Sequence, residues 1–117
     1  MRERLSSFAL VGLLFVPAWL VAQAPAAGGD VQNGKRLFVK DGCYECHGYA
    51  GQGGAGARLA PKVMATANFI KYVRHPAGAM PPYTSKVASD AELADIRAYL
   101  ATMPEPPALK SIPMLNQ

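Results

Sequence analysis

Apolar residues are concentrated near the start of the chain and in three later segments. Residues 5–21 are almost continuously apolar. In the later segments, apolar residues recur at steps of three or four, the spacing that places side chains on one face of a helix. No segment shows the apolar and polar alternation of a strand. The pattern therefore predicts an all-α domain.

The first predicted helix begins after Asp30, a residue type that caps helix N-termini. Its apolar residues are Val31, Leu37 and Phe38. Gly42 is expected to end it. Gly34 lies in its interior, where a glycine costs about 1 kcal/mol relative to alanine. We therefore expect a second helix to cross closely at Gly34.

Two further helices are predicted downstream, separated by loops at residues 48–56 and 77–86. The shorter one extends from about Thr66 to Arg74 and stops before Pro76. The longer one starts at a capping box formed by Ser89 and Glu92 and ends at Pro104. Its apolar stripe consists of Leu93, Ile96, Leu100 and Met103, and Tyr99 lies beside it. We expect Tyr99 to pack on the first helix.

Residues 1–24 have the three regions of a secretory signal peptide: basic residues, an apolar run and a small-residue end. Cleavage is expected between residues 22 and 26. An uncleaved membrane anchor is the alternative, because the apolar run approaches the roughly 20 residues that a spanning helix needs. Pro17 and the small residues that follow favour cleavage. We therefore expect export to the periplasm, with membrane association only where this segment is retained.

The remaining chain divides into a flexible tether at 25–29, a domain at 30–103 and a proline-rich tail at 104–117, which is expected to be extended. The full chain has a formal net charge of +4, and without residues 1–24 it carries 10 basic and 7 acidic residues, a net charge of +3. The basic residues are scattered and match no nucleic-acid-binding motif. This distribution excludes a nucleic-acid partner.

The candidate chemistry lies in five consecutive residues. The chain has only two cysteines, Cys43 and Cys46, and His47 follows at once, which matches the haem-attachment pattern C-x-x-C-H. Each thiol can bond to one haem vinyl group, and the short spacer brings both sulfurs to one porphyrin edge. His47 is then held beneath the iron.

Three other interpretations of these residues are weaker. A zinc site would need an unusual ligand set of both cysteines, His47 and the distant His75. A thioredoxin-like redox pair belongs in a βαβ context, which the pattern lacks, and a simple disulfide leaves His47 unexplained.

Met80 is the strongest candidate for the sixth iron ligand. It precedes Pro81, Pro82 and Tyr83, and the two prolines stiffen the backbone that presents the thioether. His75 and Met64 are the alternatives. His75 falls at a predicted helix end, where capping of carbonyl groups or solvent exposure is expected instead.

Together these motifs resemble those of class I c-type cytochromes, the small bacterial monohaem cytochromes c. The resemblance covers residues 30–103 and rests on segments 34–38, 43–47, 80–83 and 96–100. It implies a cytochrome c fold with three main helices and loops wrapped around one covalently attached haem. It also implies that the first and last helices cross near Gly34, Phe38 and Tyr99.

The resemblance further implies contacts around the haem. A proline carbonyl, here that of Pro61, is expected to accept a hydrogen bond from His47 and orient its ring. Some relatives contact a haem propionate through a tryptophan, which residues 25–117 lack. Arg58 or Tyr83 could make that contact here.

An iron with a histidine and a methionine ligand has no open coordination position and carries electrons rather than activating a substrate. The expected function is therefore one-electron transfer between periplasmic or membrane redox partners, without enzymatic activity. The alternative is a cytochrome subunit docked permanently on a dehydrogenase or oxidase, with the tail as its clasp. A domain this small builds only a marginal core, so the haem-free chain is expected to be largely unfolded.

Overall fold

The computed structural model describes residues 28–115, so the predicted signal peptide and most of the tether lie outside the described residues. The described chain contains four α-helices and two short 3₁₀ turns. They are α1 (Val31–Lys40), α2 (Cys43–His47), α3 (Thr66–Arg74), α4 (Asp90–Ala101) and the turns Leu109–Ser111 and Pro113–Leu115. Residues 28–115 form no strand, and the all-α prediction is confirmed.

Helix α1 begins and ends as its sequence predicts. The Asp30 side chain accepts hydrogen bonds from the amides of Gln32 and Asn33 at 2.9 and 3.0 Å, which satisfies two N–H groups of the first turn. Gly42 follows the helix with a φ of 76°, and its amide donates to the Val39 carbonyl at 3.1 Å. A side chain would be strained in this left-handed conformation, so glycine suits the position.

Helices α1 and α4 cross at Gly34, as predicted. A Cβ atom at this position would overlap the backbone carbonyl of Asp95, so only glycine permits this separation. The rings of Phe38 and Tyr99 pack across the same crossing, with centroids 5.7 Å apart and planes tilted by 55°. The crossing contains the largest fully buried side chains of the described chain: Leu37, Phe38, Ile96 and Leu100.

Polar contacts fix the same crossing at the start of α1. The Asp95 carboxylate accepts the Asp30 amide at 2.6 Å and the Asn33 side-chain amide at 2.7 Å. One carboxylate on α4 therefore binds both the cap and the first turn of α1. The spacing of apolar residues predicted which face of α4 packs on α1, but it did not predict these contacts of Asp95.

The capping box at the start of α4 is confirmed. The Ser89 amide donates to the Glu92 carboxylate at 2.8 Å, and the Glu92 amide donates to the Ser89 hydroxyl at 3.2 Å. The helix ends at Ala101, earlier than predicted, where Thr102 Oγ1 donates to the Tyr99 carbonyl at 2.7 Å. Met103 therefore lies beyond the helix and is only partly buried.

The three main helices that were expected are α1, α3 and α4. The attachment motif adds a short helix of its own, α2. The tail contains the two 3₁₀ turns where a wholly extended segment was expected. Helix α3 has the predicted bounds, and Phe69 and Val73 bury its inner face. None of the helices within residues 28–115 is both long and apolar enough to cross a membrane.

Candidate haem site

Helix α2 presents the two cysteines from a single helical turn. Gly42 and Gly48 flank the helix, with φ angles of 76° and 73°. Residues three apart on a helix lie on one face, so Cys43 and Cys46 share a face of α2. Both are free thiols. This arrangement does not support the disulfide interpretation.

The surroundings of Cys43 keep its thiol protonated. Burial raises its pKa to about 11, and the negative charge of Asp41 adds to the effect. The Asp41 side chain is only 4% exposed, and its Oδ2 accepts no hydrogen bond within the described chain. Redox-active cysteine pairs rely on lowered thiol pKa values. A thioredoxin-like role is therefore disfavoured. Cys46, on the same face of α2, is exposed.

One hydrogen bond fixes the orientation of His47. Its Nδ1 lies 2.7 Å from the carbonyl oxygen of Ala57. A carbonyl only accepts, so Nδ1 carries a proton, and in the neutral ring Nε2 then has the lone pair that a metal ligand needs. The prediction that the Pro61 carbonyl is this partner is wrong, because that carbonyl accepts the Val63 amide at 2.9 Å. Hydrogen bonds from the glycine-rich loop to α2 bring the Ala57 carbonyl to the ring instead.

The glycine-rich loop also closes the end of α2. Amides of Gly53 and Gly56 donate to the carbonyls of His47 and Cys46 at 2.9 and 2.8 Å, which satisfies acceptors at the helix terminus. A Cβ atom at Gly56 would lie 2.9 Å from His47 Cε1 and 3.2 Å from Cys46 Cβ. Gly56 is thus a site residue that the motif alone did not indicate. Its only signal was the glycine content of the loop.

The candidates for the sixth ligand have different surroundings. Met80 is half-buried and packs against the apolar core. His75 and Met64 are exposed and line a separate cavity of about 270 Å³ together with Lys71 and Tyr72. Of these three candidates, only Met80 is partly buried against the core.

Tyr83 and Arg58, the two residues considered for a propionate contact, are placed differently. The Tyr83 hydroxyl donates to the Asp41 carbonyl at 2.8 Å and interacts with the thiol of Cys43. Burial raises the pKa of Tyr83, and the neighbouring Cys43 adds to this. Arg58 is exposed and lines a cleft of about 260 Å³ that also includes Pro61. The structure thus joins Tyr83, but not Arg58, to the attachment motif.

The described residues do not support a site for a metal other than haem iron. Within residues 28–115, no three or more His, Cys, Asp or Glu side chains come together to hold a metal ion. The set of Cys43, Cys46, His47 and His75 considered for zinc is therefore not assembled.

The family described as cytochrome c oxidase, cbb3-type, subunit III matches residues 29–100. The chain belongs to this family. No curated protein and no solved structure matches it. As a member of a c-type cytochrome family, the chain carries covalently attached haem c, and its C-x-x-C-H motif fits this attachment.

The residues of the attachment motif and its surroundings fit a covalently attached haem. The two free thiols share one helix face, Cys43 packs against the core, and His47 has the tautomer that leaves Nε2 available. Gly56 leaves room beside the imidazole that any larger residue would fill.

Proposed function

We propose that the chain is a monohaem one-electron carrier in which Cys43 and Cys46 attach the haem and His47 and Met80 are the axial ligands. The observation that carries this proposal is the His47 Nδ1 hydrogen bond to Ala57, which leaves Nε2 available to bind the iron. The half-buried Met80 supports it as the opposite ligand. When bound, the haem supplies an iron that alternates between the ferric and ferrous states.

The protein residues then have fixed, non-reacting roles. The Ala57 carbonyl holds the His47 ring and increases its basicity, which affects how strongly it donates to the metal. Met80 provides a neutral, polarisable thioether that favours the reduced state more than a second histidine would. With both ligands supplied by the protein, no position is left for a substrate, so we propose electron transfer without catalysis.

The proposed setting is the periplasm. We infer that residues 1–24 direct export and are removed at a bond between residues 22 and 26, which leaves a tether at 25–29 and the domain at 30–103. Haem attachment to exported chains takes place outside the cytoplasm, which supports this assignment. The partners are a redox protein donor and acceptor, and an uncleaved N-terminal segment would add membrane association.

Replacement of Met80 tests the ligand assignment. Met80→Ala should abolish the iron–sulfur charge-transfer absorption of the oxidised protein and lower its reduction potential. Met114→Ala is the matched control, because Met114 is 80% exposed and lies in the tail. Unchanged absorption in Met80→Ala would contradict the assignment, and the same measurement on Met64→Ala and His75→Ala would then identify the ligand.

A second candidate function is a subunit docked on an oxidase. The family description favours it, since it names a subunit of a cytochrome c oxidase. The tail adds a structural reason, because Leu109, Met114 and Leu115 are large apolar residues that lie exposed. Size-exclusion chromatography of the native protein separates the two candidates. A free carrier elutes as a monomer, whereas a docked subunit elutes with its complex and is released by deletion of residues 105–117.

A further inference from the structure

The loop that carries Met80 is closed at its base by Tyr83. The Tyr83 amide donates to the Val73 carbonyl at 3.1 Å, and Arg74 Nη1 donates to the Tyr83 carbonyl at 2.8 Å. Val73 and Arg74 are the last two residues of α3. Both the amide and the carbonyl of Tyr83 are therefore bound to the end of that helix, with residues 75–82 between them.

Met80 has few other restraints. Within the described chain, none of residues 76–82 takes part in a backbone–backbone hydrogen bond. Pro76, Pro81 and Pro82 also have no N–H to donate. The position of Met80 therefore depends on its packing against the core and on the base of the loop.

Arg74 is the stronger restraint at that base. Its side chain is only 16% exposed, and its Nη2 forms an ion pair with Asp90 Oδ1 at 2.6 Å. Asp90 is the first residue of α4. One planar guanidinium therefore joins the end of α3, the base of the loop and the start of α4. A lysine could not hold both acceptors in the same fixed geometry.

The Tyr83 side chain extends this connection to the attachment motif. Its hydroxyl donates to the Asp41 carbonyl at 2.8 Å and lies beside the Cys43 thiol. Movement of the loop base would therefore shift Met80 relative to the residues that attach the haem. The base of the Met80 loop is thus linked to the attachment motif at Asp41 and Cys43 through Tyr83.

We propose that Arg74 is a positioning residue for Met80. Its hydrogen bond to the Tyr83 carbonyl keeps the loop of residues 75–82 closed, so that the Met80 thioether stays at the axial position. This inference rests on the proposed function, in which Met80 is the axial ligand. Arg74 acts through Tyr83 and does not itself touch the haem ligand.

The test is the affinity of the oxidised, haem-loaded protein for imidazole, which competes with a methionine for the iron. Arg74→Gln should bind imidazole roughly tenfold more tightly than the wild type, because the loop loses a hydrogen bond from a charged donor. Its iron–sulfur charge-transfer absorption should weaken in parallel. Arg36→Gln is the matched control, since Arg36 is exposed and donates to Asn33 on α1, and its affinity should equal that of the wild type.

A second variant separates position from charge. Arg74→Lys keeps the positive charge but not the planar fork, so its imidazole affinity should fall between those of the wild type and Arg74→Gln. If Arg74→Gln does not fold, Arg74→Lys alone tests the proposal. Wild-type affinity in Arg74→Lys would overturn the proposal, as would wild-type affinity in a folded Arg74→Gln of lower thermal stability.

Met80→Ala distinguishes this inference from the function on which it rests. If Met80→Ala binds imidazole much more tightly and Arg74→Gln does not, only the positioning role is wrong. If Met80→Ala itself binds imidazole as the wild type does, Met80 is not the ligand and both proposals are wrong.

Discussion

The α1–α4 crossing and the haem-attachment region are built in different ways. At the crossing, Leu37, Phe38 and Leu100 are fully buried, and Gly34 brings the two backbones into contact. In the attachment region, defined here as α2 and the Met80 loop, no residue of α2 is buried and Met80 is only partly covered by protein. Its contacts include hydrogen bonds in which the His47 ring donates to the Ala57 carbonyl and the amides of Gly53 and Gly56 donate to carbonyls of α2. At the base of the Met80 loop, the Tyr83 amide donates to the Val73 carbonyl.

This difference separates two tasks. The crossing holds the chain ends of the domain together with apolar packing, which needs only complementary surfaces. The attachment region leaves its thiols, imidazole and thioether partly or fully exposed. We infer that the attached haem covers these groups, so that this region is completed only when haem is bound. Substitutions in each region test how independent the two regions are.

The largest effect is expected from removal of both thiols. Cys43→Ser/Cys46→Ser protein should carry no covalently attached haem and lose most of its helical circular dichroism. The reason is that only eleven hydrophobic residues of the described chain are buried, a small core for a domain of this size. The intact mass and the far-ultraviolet spectrum are the measurements. A native-like spectrum of the haem-free variant would show that the α1–α4 crossing is stable alone.

The next largest effect should come from Gly34→Ala. The added methyl group meets the Asp95 backbone carbonyl, so the helices must separate, and we expect a loss of roughly 2 to 3 kcal/mol in the free energy of unfolding. Gly28→Ala is the control, because a Cβ atom there meets nothing within 4 Å. Equal urea denaturation midpoints for the two haem-loaded variants would contradict the close crossing.

A smaller effect is expected at the start of α4. Ser89→Ala removes the hydroxyl that accepts the Glu92 amide and should lower the free energy of unfolding by about 1 kcal/mol. Ser85→Ala, at an exposed position in the preceding turn, should have no measurable effect. Because the cap lies away from α2, the haem absorption spectrum of Ser89→Ala should not change. A changed spectrum would show that the two regions are coupled.

The smallest effect is a pH dependence of stability from Glu92. The Ser89 amide and then its hydroxyl lower the pKa of the Glu92 carboxyl. A group with a lowered folded pKa stabilises the fold above its unfolded pKa of about 4.3, and this contribution disappears as the pH falls through the folded pKa. The stability advantage of the wild type over Glu92→Gln should therefore be complete at neutral pH and shrink as the pH falls below about 4.3. An advantage that stays constant as the pH falls would contradict the assigned cause.

The sequence predicts the crossing better than the attachment region, for physical reasons. Helix caps and apolar spacing are local, so Asp30, the Ser89–Glu92 box and the Gly34 contact could be inferred from neighbouring residues. The acceptor for His47 depends on how a flexible loop returns to α2. Ala57 has no side-chain feature that marks it, and the expected Pro61 was therefore wrong.

The roles of Asp95 and Arg74 were also missed, because both act over long separations in the sequence. Asp95 binds Asn33, 62 residues away, and Arg74 binds Asp90 across the Met80 loop. Periodicity predicts which face of a helix packs, but not which polar group completes the contact. The motif at Cys43 to His47 is different, since its chemistry is contained in five residues.

A closed iron with two protein ligands is tested most directly by exposure of the fully reduced protein to carbon monoxide. We expect no change in the absorption spectrum on mixing at neutral pH, because His47 and Met80 are proposed to occupy both axial positions. Met80→Ala protein should bind carbon monoxide at once. Rapid binding by the wild-type protein would contradict the closed site and the electron-carrier function that depends on it.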